Sequence, residues 1–465
     1  MSRQSRDSTD KFQCTSFSKF ESHNKVRIIS LGCPKNLIDS EVMGGLLNQS
    51  GYQLVGQNDA ADIAIVNTCA FINPAKEEAI EEILTLAEEK KTNPQLKIVV
   101  AGCLAQRYGR ELFVQIPEVD LFIGTGEVGK IVHHIKTINQ KKYRRAAVIT
   151  KPDFLMNCEQ PRLLPPSAAS AYLKISDGCS NCCSYCAIPS IRGAARSRRP
   201  DDILREAENL AKRGIKEIII TAQDTTNYGR DLKGRPCLSS LLNDMAKIRS
   251  IKWIRLLYVH PARVTTDLLE TIASHEKICR YIDLPVQHID DDILKAMNRN
   301  VSGAEIQRVI AQIRRMIPGV ALRTSLIVGF PGETNKRFEK LIDFVREAKF
   351  DHLGVFTYSK EEGTSAASLK SQIAAGEKER RREIIMNEQM AISRAINNIL
   401  INSVQEVLIE AKSDRNNYSY LGRCRRQAPE IDGVTYIKSS KARIGDMVKC
   451  RITAVDEYDL FGKTI

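Results

Sequence analysis

At 465 residues the chain exceeds what one hydrophobic core ordinarily supports, so two to four domains are expected. Its 43% hydrophobic, 6% aromatic and 27% charged content is that of a globular chain and excludes wholesale disorder. No apolar run approaches the roughly 18–20 residues of a membrane span, and the start MSRQSRDSTDKFQCTSF has no apolar signal core, so a soluble, cytoplasmic protein with no membrane partner is expected. The excess of 69 Lys and Arg over 56 Asp and Glu, net +13, fits an anionic partner such as RNA or a ribosome, and fits a solvated basic surface as well.

In chain order, a polar leader (1–24) precedes KVRIISLG, predicted to be a buried strand, and IDSEVMGGLLNQSG, predicted to be a helix. ADIAIVNTCAF then reads as strand and loop, PAKEEAIEEILTLAEEKKT as a long helix, and LKIVVAGCLAQR as a strand running into a loop. This alternation predicts a Rossmann-like parallel sheet within residues 25–140, with its chemistry beyond the strand C-termini. Residues 141–165, which take in the basic run KKYRRAA and most of the proline-rich run PRLLPPS and show no clear period, read as a linker. Within 166–399, the candidate strands AYLKIS, KEIIITA, KWIRLLYV, CRYIDLPV, VALRTSLIVGF and HLGVFTYS alternate with helical patterns, which predicts a full or partial TIM-type barrel. The charged run EKERRREIIMNEQMAISRAINN reads as a connecting helix. Five short β-like runs in 400–465 predict a small closed β-barrel, making the whole an α/β chain with an all-β end.

The thirteen cysteines of a cytoplasmic chain point to metal or catalytic roles rather than disulfides, and six of them fall into two patterns. Cys179, Cys183 and Cys186 form CxxxCxxC directly after the first barrel strand, where a TIM-type fold places its active site. Three thiolates on one loop can hold a 4Fe-4S cube and leave the fourth iron open to a small molecule. The alternative is a structural zinc site with Cys182 as fourth thiolate. Cys33, Cys69 and Cys103 each follow one of the first three predicted parallel strands, so they converge on one rim and can hold a second cube; the alternative is three packing cysteines.

CxxxCxxC after the first barrel strand, with Tyr185 before the last cysteine, resembles the signature of radical S-adenosylmethionine enzymes. Together with the N-terminal trio and the terminal barrel, which resembles a TRAM domain, it resembles the methylthiotransferases from Lys25 to Ile465. The resemblance implies two 4Fe-4S clusters and S-adenosyl-L-methionine: one cofactor molecule donates a methyl group to sulfur on the N-terminal cluster, and another is cleaved reductively at the barrel cluster. It also implies an electron donor of flavodoxin or ferredoxin type, and no protein general acid or base for the C–H step.

LGCPKNLIDSEVM, NTCAFINPAKEEAI, IPSIRG, AQDTTNYG, LPVQHIDDDILKAMNR and GRCRRQAPEIDG resemble the RimO-like branch, which modifies an aspartate of ribosomal protein S twelve, free or in the small subunit. The rival branch, MiaB-like, modifies a tRNA adenosine and has GCQMN and LPVQSGS instead. A non-enzymatic iron-sulfur scaffold that binds ribosomes is the rival of another class.

TSLIVGFPGET places Gly329 and Gly332 after a strong strand, near the adenine and ribose of S-adenosylmethionine by resemblance, or as a plain strand-to-helix turn. Gln223 and Asp224 in TAQDT, and Gln287 and His288 in LPVQH, sit at strand ends as cofactor or substrate contacts or as rim hydrogen-bonding groups. His133 and His134 are expected at the surface. Cys14, Cys158, Cys237, Cys279, Cys424 and Cys450 lack ligand spacing. RGAARSRR, Arg192 to Arg199, offers a basic face to a carboxylate or ribosomal RNA, or a solvated rim.

Overall fold

The computed structural model describes residues 25–139, 145–439 and 441–465, so Cys14 and the polar leader lie outside the described residues. The chain forms two compact units, neither continuous in sequence. Described residues up to Pro166, with Ser176–Asn181 and Ala187–Arg198, make the first; Ser167–Ile175, Cys182–Cys186 and the residues from Arg199 make the second.

In the first unit six parallel strands, β1 (Lys25–Ser30), β2 (Gln53–Val55), β3 (Ile63–Thr68), β4 (Lys97–Gly102), β5 (Leu121–Ile123) and β6 (Ala146–Val148), stand in the order β2-β1-β3-β4-β5-β6. Runs such as IAIV and KIVV are apolar on both sides because parallel strands are covered on both faces. The covering helices are α1 (Pro34–Gln49), α2 (Asn73–Thr92), α3 (Cys103–Gln115) and α4 (Ile131–Asn139). Helix α3 begins at Cys103 itself, where a loop was expected. Strand β6 lies inside the stretch read as a linker, its three residues being too few to show a period next to KKYRR.

Helix α1 is buried along most of its length, polar residues included. Arg162 pairs with its Glu41, and the Pro161 carbonyl passes so close to Gly45 that a side chain there would collide with it.

Strand β7 (Ser170–Lys174) opens the second unit, and the chain then returns to the first. There β8 (Ser176–Asp177) pairs antiparallel with β9 (Arg196–Ser197), and the short helix α5 (Ile188–Arg192) brings Ala187 and Ile191 into the first unit's core. In the second unit β7 joins β10 (Glu217–Thr221), β11 (Trp253–Leu256), β12 (Ile278–Asp283), β13 (Ala321–Val328) and β14 (His352–Thr357). The resulting sheet is parallel and unclosed, a partial barrel in the order β14-β13-β12-β11-β10-β7. The connecting helices are α6 (Pro200–Lys212), α7 (Leu238–Ala246), α8 (Thr266–Ser274), α9 (Asp291–Ala296), α10 (Gly303–Met316) and α11 (Asn335–Ala348). Several start where a Ser, Thr or Asp caps free backbone N–H groups, as Ser302 does in a reciprocal box with Glu305.

Helix α12 (Ala375–Asn398), expected to be a connector, packs on the barrel. Ile385 is buried, the Gln389 amide donates to the Phe350 carbonyl at 2.7 Å, and the Ser393 hydroxyl donates to that of Asp351 at 3.0 Å.

Strands β15 (Val404–Lys412), β16 (Tyr420–Cys424), β17 (Thr435–Lys438), β18 (Met447–Val455) and β19 (Leu460–Thr464) close into the expected small barrel. It joins the partial barrel through polar groups on the latter's strands. Glu217 is fully buried between Arg255 and Arg423, and the Tyr281 hydroxyl donates to Asp432 at 2.7 Å. Among the described residues, no helix is long and apolar enough to cross a membrane.

Candidate functional site

Strands β1, β3 and β4 are neighbours, with Ser30 opposite Asn67 and Thr68 opposite Gly102, so Cys33, Cys69 and Cys103 fall at one rim of the sheet. Cys33 is the N-cap of α1 and Cys103 the first residue of α3, so both stand at helix N-termini, whose dipoles favour negative charge there.

Asn36 knits the rim. Its amide nitrogen donates to the carbonyls of Leu31 at 3.0 Å and Thr68 at 2.9 Å, while its oxygen accepts from the Cys103 thiol at 3.6 Å. Two glycines make the approach possible. A side chain on Gly32 (φ +87°) would stand 2.6 Å from the Cys69 Cβ. One on Gly102 (φ +92°) would stand 2.8 Å from the Thr68 carbonyl oxygen and closer still to the Asn67 side chain.

Burial acts on all three thiols, but its outcome differs. At Cys33 it is outweighed by the charges of Lys35 and Arg192 and by backbone donors, which hold the thiol below its ordinary value. At Cys69 burial, reinforced by Cys103 and Cys33, pushes it up to about 12. At Cys103 burial also wins, though Arg192 opposes it.

The second pattern is a loop held at several points. On the first unit's side, the Cys179 N–H donates to the Gly193 carbonyl at 3.0 Å and the Asn181 N–H to the Cys179 sulfur at 3.4 Å. On the second unit's side, the Ser184 N–H donates to the Met297 carbonyl at 2.9 Å, the Asn298 amide to the Cys182 carbonyl at 2.6 Å, and the Ala366 N–H to the Ser184 carbonyl at 2.8 Å. Arg299 is buried beside Cys183 and Tyr185. Burial disfavours its charge, but the pull of those two groups prevails and its pKa rises; burial and the neighbouring Cys183 raise the Tyr185 phenol too.

The run Ala296–Arg299 is thus a grip on the cysteine loop; it closes the stretch LPVQHIDDDILKAMNR that carries the family resemblance, but the sequence reading gave it no role. Among the described residues, no three Cys, His, Asp or Glu side chains converge on a position for one metal ion, as tetrahedral zinc demands; a cube's ligands sit on separate irons and stand farther apart.

Gln223 lies just after β10, half-buried, and Asp224 is buried and paired with Arg263 at 2.6 Å. Gln287 takes a left-handed backbone (φ +71°) and its N–H donates to the Ser325 carbonyl at 2.9 Å; His288 beside it is fully buried. Gly329 (φ +71°) donates its N–H to the Glu333 carboxylate, and the Lys378 side chain lies against its Cα; Gly332 has φ +86°.

His134, expected at the surface, is buried and bonded to Glu127 at 2.8 Å. The basic run does not form a free face either, since Arg192 and Arg198 are buried. Cys279, Cys424 and Cys450 are buried, and Cys237 caps α7.

An unclosed six-stranded parallel barrel with CxxxCxxC after its first strand defines a radical S-adenosylmethionine enzyme. The radical SAM superfamily matches residues 173–345, the uncharacterized protein family UPF0004 residues 25–124 and the TRAM domain residues 401–465. The fold is similar to that of the radical S-adenosylmethionine methyltransferase TsrM from Kitasatospora setae, solved with cobalamin and a [4Fe-4S] cluster. The TM-score is 0.52 at 14% identity, over 72% of this chain and 75% of that one. The cobalamin-dependent enzyme OxsB gives 0.52 at 12% identity, over 80% and 56%.

Curated relatives are similar end to end. The "Ribosomal protein uS12 methylthiotransferase RimO" of Syntrophus aciditrophicus is 53% identical over 95% of this chain and 98% of its own. Those of Geobacter sulfurreducens and Clostridioides difficile are 47% and 45% identical over the same share of this chain. The chain belongs to the family of ribosomal protein uS12 methylthiotransferases and is a radical S-adenosylmethionine methylthiotransferase, a class that works with a 4Fe-4S cluster.

Proposed function

We propose that this chain attaches a methylthio group to the β-carbon of an aspartate in ribosomal protein S twelve, using S-adenosyl-L-methionine and two 4Fe-4S clusters. The observation that carries the substrate assignment is end-to-end similarity, at 45–53% identity, to relatives named for that protein. The second cluster rests on Cys33, Cys69 and Cys103 at one rim, with two helix N-termini and a buried guanidinium to offset the charge of an anionic cube. A reduced cluster with bound S-adenosylmethionine supplies a deoxyadenosyl radical able to take hydrogen from an unactivated carbon.

In this reading Cys179, Cys183 and Cys186 hold the cluster that meets the cofactor, with the Ala296–Arg299 grip fixing their loop. Gln223, Gln287, Gly329 and Gly332 line the cofactor's place at the strand ends. Cys33, Cys69 and Cys103 hold the sulfur-carrying cluster, and burial of Cys69 and Cys103 keeps water from it. No side chain serves as a base, because the carbon acid is far too weak for one. A flavodoxin- or ferredoxin-like protein supplies electrons, and the work is done in the cytoplasm on the protein or the small subunit.

The test incubates reconstituted, reduced protein and S-adenosylmethionine with a peptide carrying the aspartate loop of S twelve, and in parallel with isopentenylated tRNA. Deoxyadenosine with methylthio-aspartate in the peptide is the expected result. Methylthio-adenosine in the tRNA and an unmodified peptide would overturn the substrate assignment.

A further inference from the structure

Arg192 follows the barrel cysteines closely in sequence, yet its side chain ends in the first unit among the other trio. It is 3% exposed. One guanidinium nitrogen donates to the Asn36 side-chain oxygen at 2.7 Å and to Asp39 at 2.9 Å; another reaches Asp177 at 3.1 Å. The same Asn36 oxygen also accepts from the Cys103 thiol at 3.6 Å, so the guanidinium and that sulfur share one partner.

Stability alone accounts poorly for such a residue. Buried ion pairs add little over well-packed apolar groups. Here one cation faces two carboxylates and the amide oxygen to which the Cys103 thiol also donates. Without it, two buried negative charges would confront an anionic cluster with no guanidinium between them.

We propose that Arg192 is a positioning residue for the N-terminal cluster site, where it supplies a fixed positive charge beside Cys33, Cys69 and Cys103. By gripping Asp177, just ahead of Cys179, it also ties that site to the start of the barrel-cysteine loop. The proposal rests on the reading that this trio holds a cluster. An arginine suits the task because its planar fork serves Asn36, Asp39 and Asp177 at once and does not lose its charge. Arg192, Asp177 and Asn36 all belong to the first unit, so one side chain holds the N-terminal rim and the residue two positions ahead of Cys179 together.

The experiment uses the full chain with Cys179, Cys183 and Cys186 changed to Ala, so that any cluster present belongs to the N-terminal trio. Iron and sulfide content, the rate of iron loss to a chelator and an electron paramagnetic redox titration are measured for this parent and for R192M, R192K and D177N.

The parent is expected to hold one cluster. R192M should lose iron at least tenfold faster, in the order-of-magnitude range known for groups that support metal ligands, with a more negative reduction potential. R192K should restore most of that potential. D177N, which removes a negative charge, should move the potential the opposite way, and this arm stands even where R192M fails to fold. A parent without iron overturns the two-cluster reading and the proposal with it. A loaded parent whose potential is the same in R192M and D177N overturns the role of Arg192 alone, since a merely structural residue would not shift potentials in opposite directions.

Discussion

Cys179, Cys183 and Cys186 share one loop, whereas Cys33, Cys69 and Cys103 are gathered to one rim by three parallel strands. The loop trio depends on local grips, the Ser184, Asn298 and Arg299 contacts, and tolerates change elsewhere as long as those hold. The strand trio depends on the register of β1, β3 and β4. A slip there turns side chains to the wrong face, so the convergence of its cysteines is only as good as the sheet.

The largest test of this contrast is to remove one ligand from each trio. C183A is expected to abolish deoxyadenosine formation. C69A is expected to abolish methylthiolation while deoxyadenosine is still produced, both read by mass spectrometry. If both variants stopped cleavage equally in folded protein, the division of labour would be wrong.

Next comes the seam between the barrels. E217A takes the carboxylate from buried Arg255, while Arg423 keeps Glu410, and should cost about 3–5 kcal/mol, seen in the melting of the second unit. Iron on the strand trio should be retained.

G102A forces a left-handed residue against the Thr68 carbonyl and should cost roughly 1–3 kcal/mol. Chelation should show iron lost from the strand trio and kept on the loop trio, a selectivity that separates the two designs.

The smallest effect is a pH slope from His260, near the loop's Arg299. Burial first, and then the positive charges of Arg299 and Arg263, push it down to about 3. The folded protein therefore keeps it neutral while an unfolded chain takes up a proton below its ordinary value near 6.5. Its stability is whole above that pH and falls as the pH drops toward 3, by about 1.4 kcal/mol per pH unit. H260N should flatten the decline just below pH 6.5, measured as apparent melting temperature.

Much of this was legible because the relevant residues announce themselves locally. Apolar runs ending at Cys33, Cys69 and Cys103 gave the sheet and its rim together, since a parallel strand's end fixes where the next side chains lie. What escaped was long-range or disguised by charge. Arg192 sits in a run that reads as solvated, and only the return of 187–198 to the first unit buries it. Helix α12 is so rich in Arg and Glu that it looks like a tether, although Ile385, Gln389 and Ser393 give it a face toward the barrel. Asn298 and Arg299 close the stretch LPVQHIDDDILKAMNR, yet nothing in that stretch says what they hold; their role exists only opposite Cys182 and Cys183. His134 was misplaced because nothing in its neighbourhood forecasts Glu127 as a partner.

The interleaving of the chain has a practical consequence for dissection. A fragment stopped after Pro166 would lack Ala187 and Ile191 from its apolar interior, and Arg192 from among its acidic groups. It should express as a sticky, poorly folded piece, however complete it looks as a sequence block. A cut before Val404 would leave Glu217 and Arg255 facing water where the last barrel had been. Anyone wishing to exchange parts between relatives has no clean joint to cut, and chimeras should be designed around the contacts rather than the sequence order.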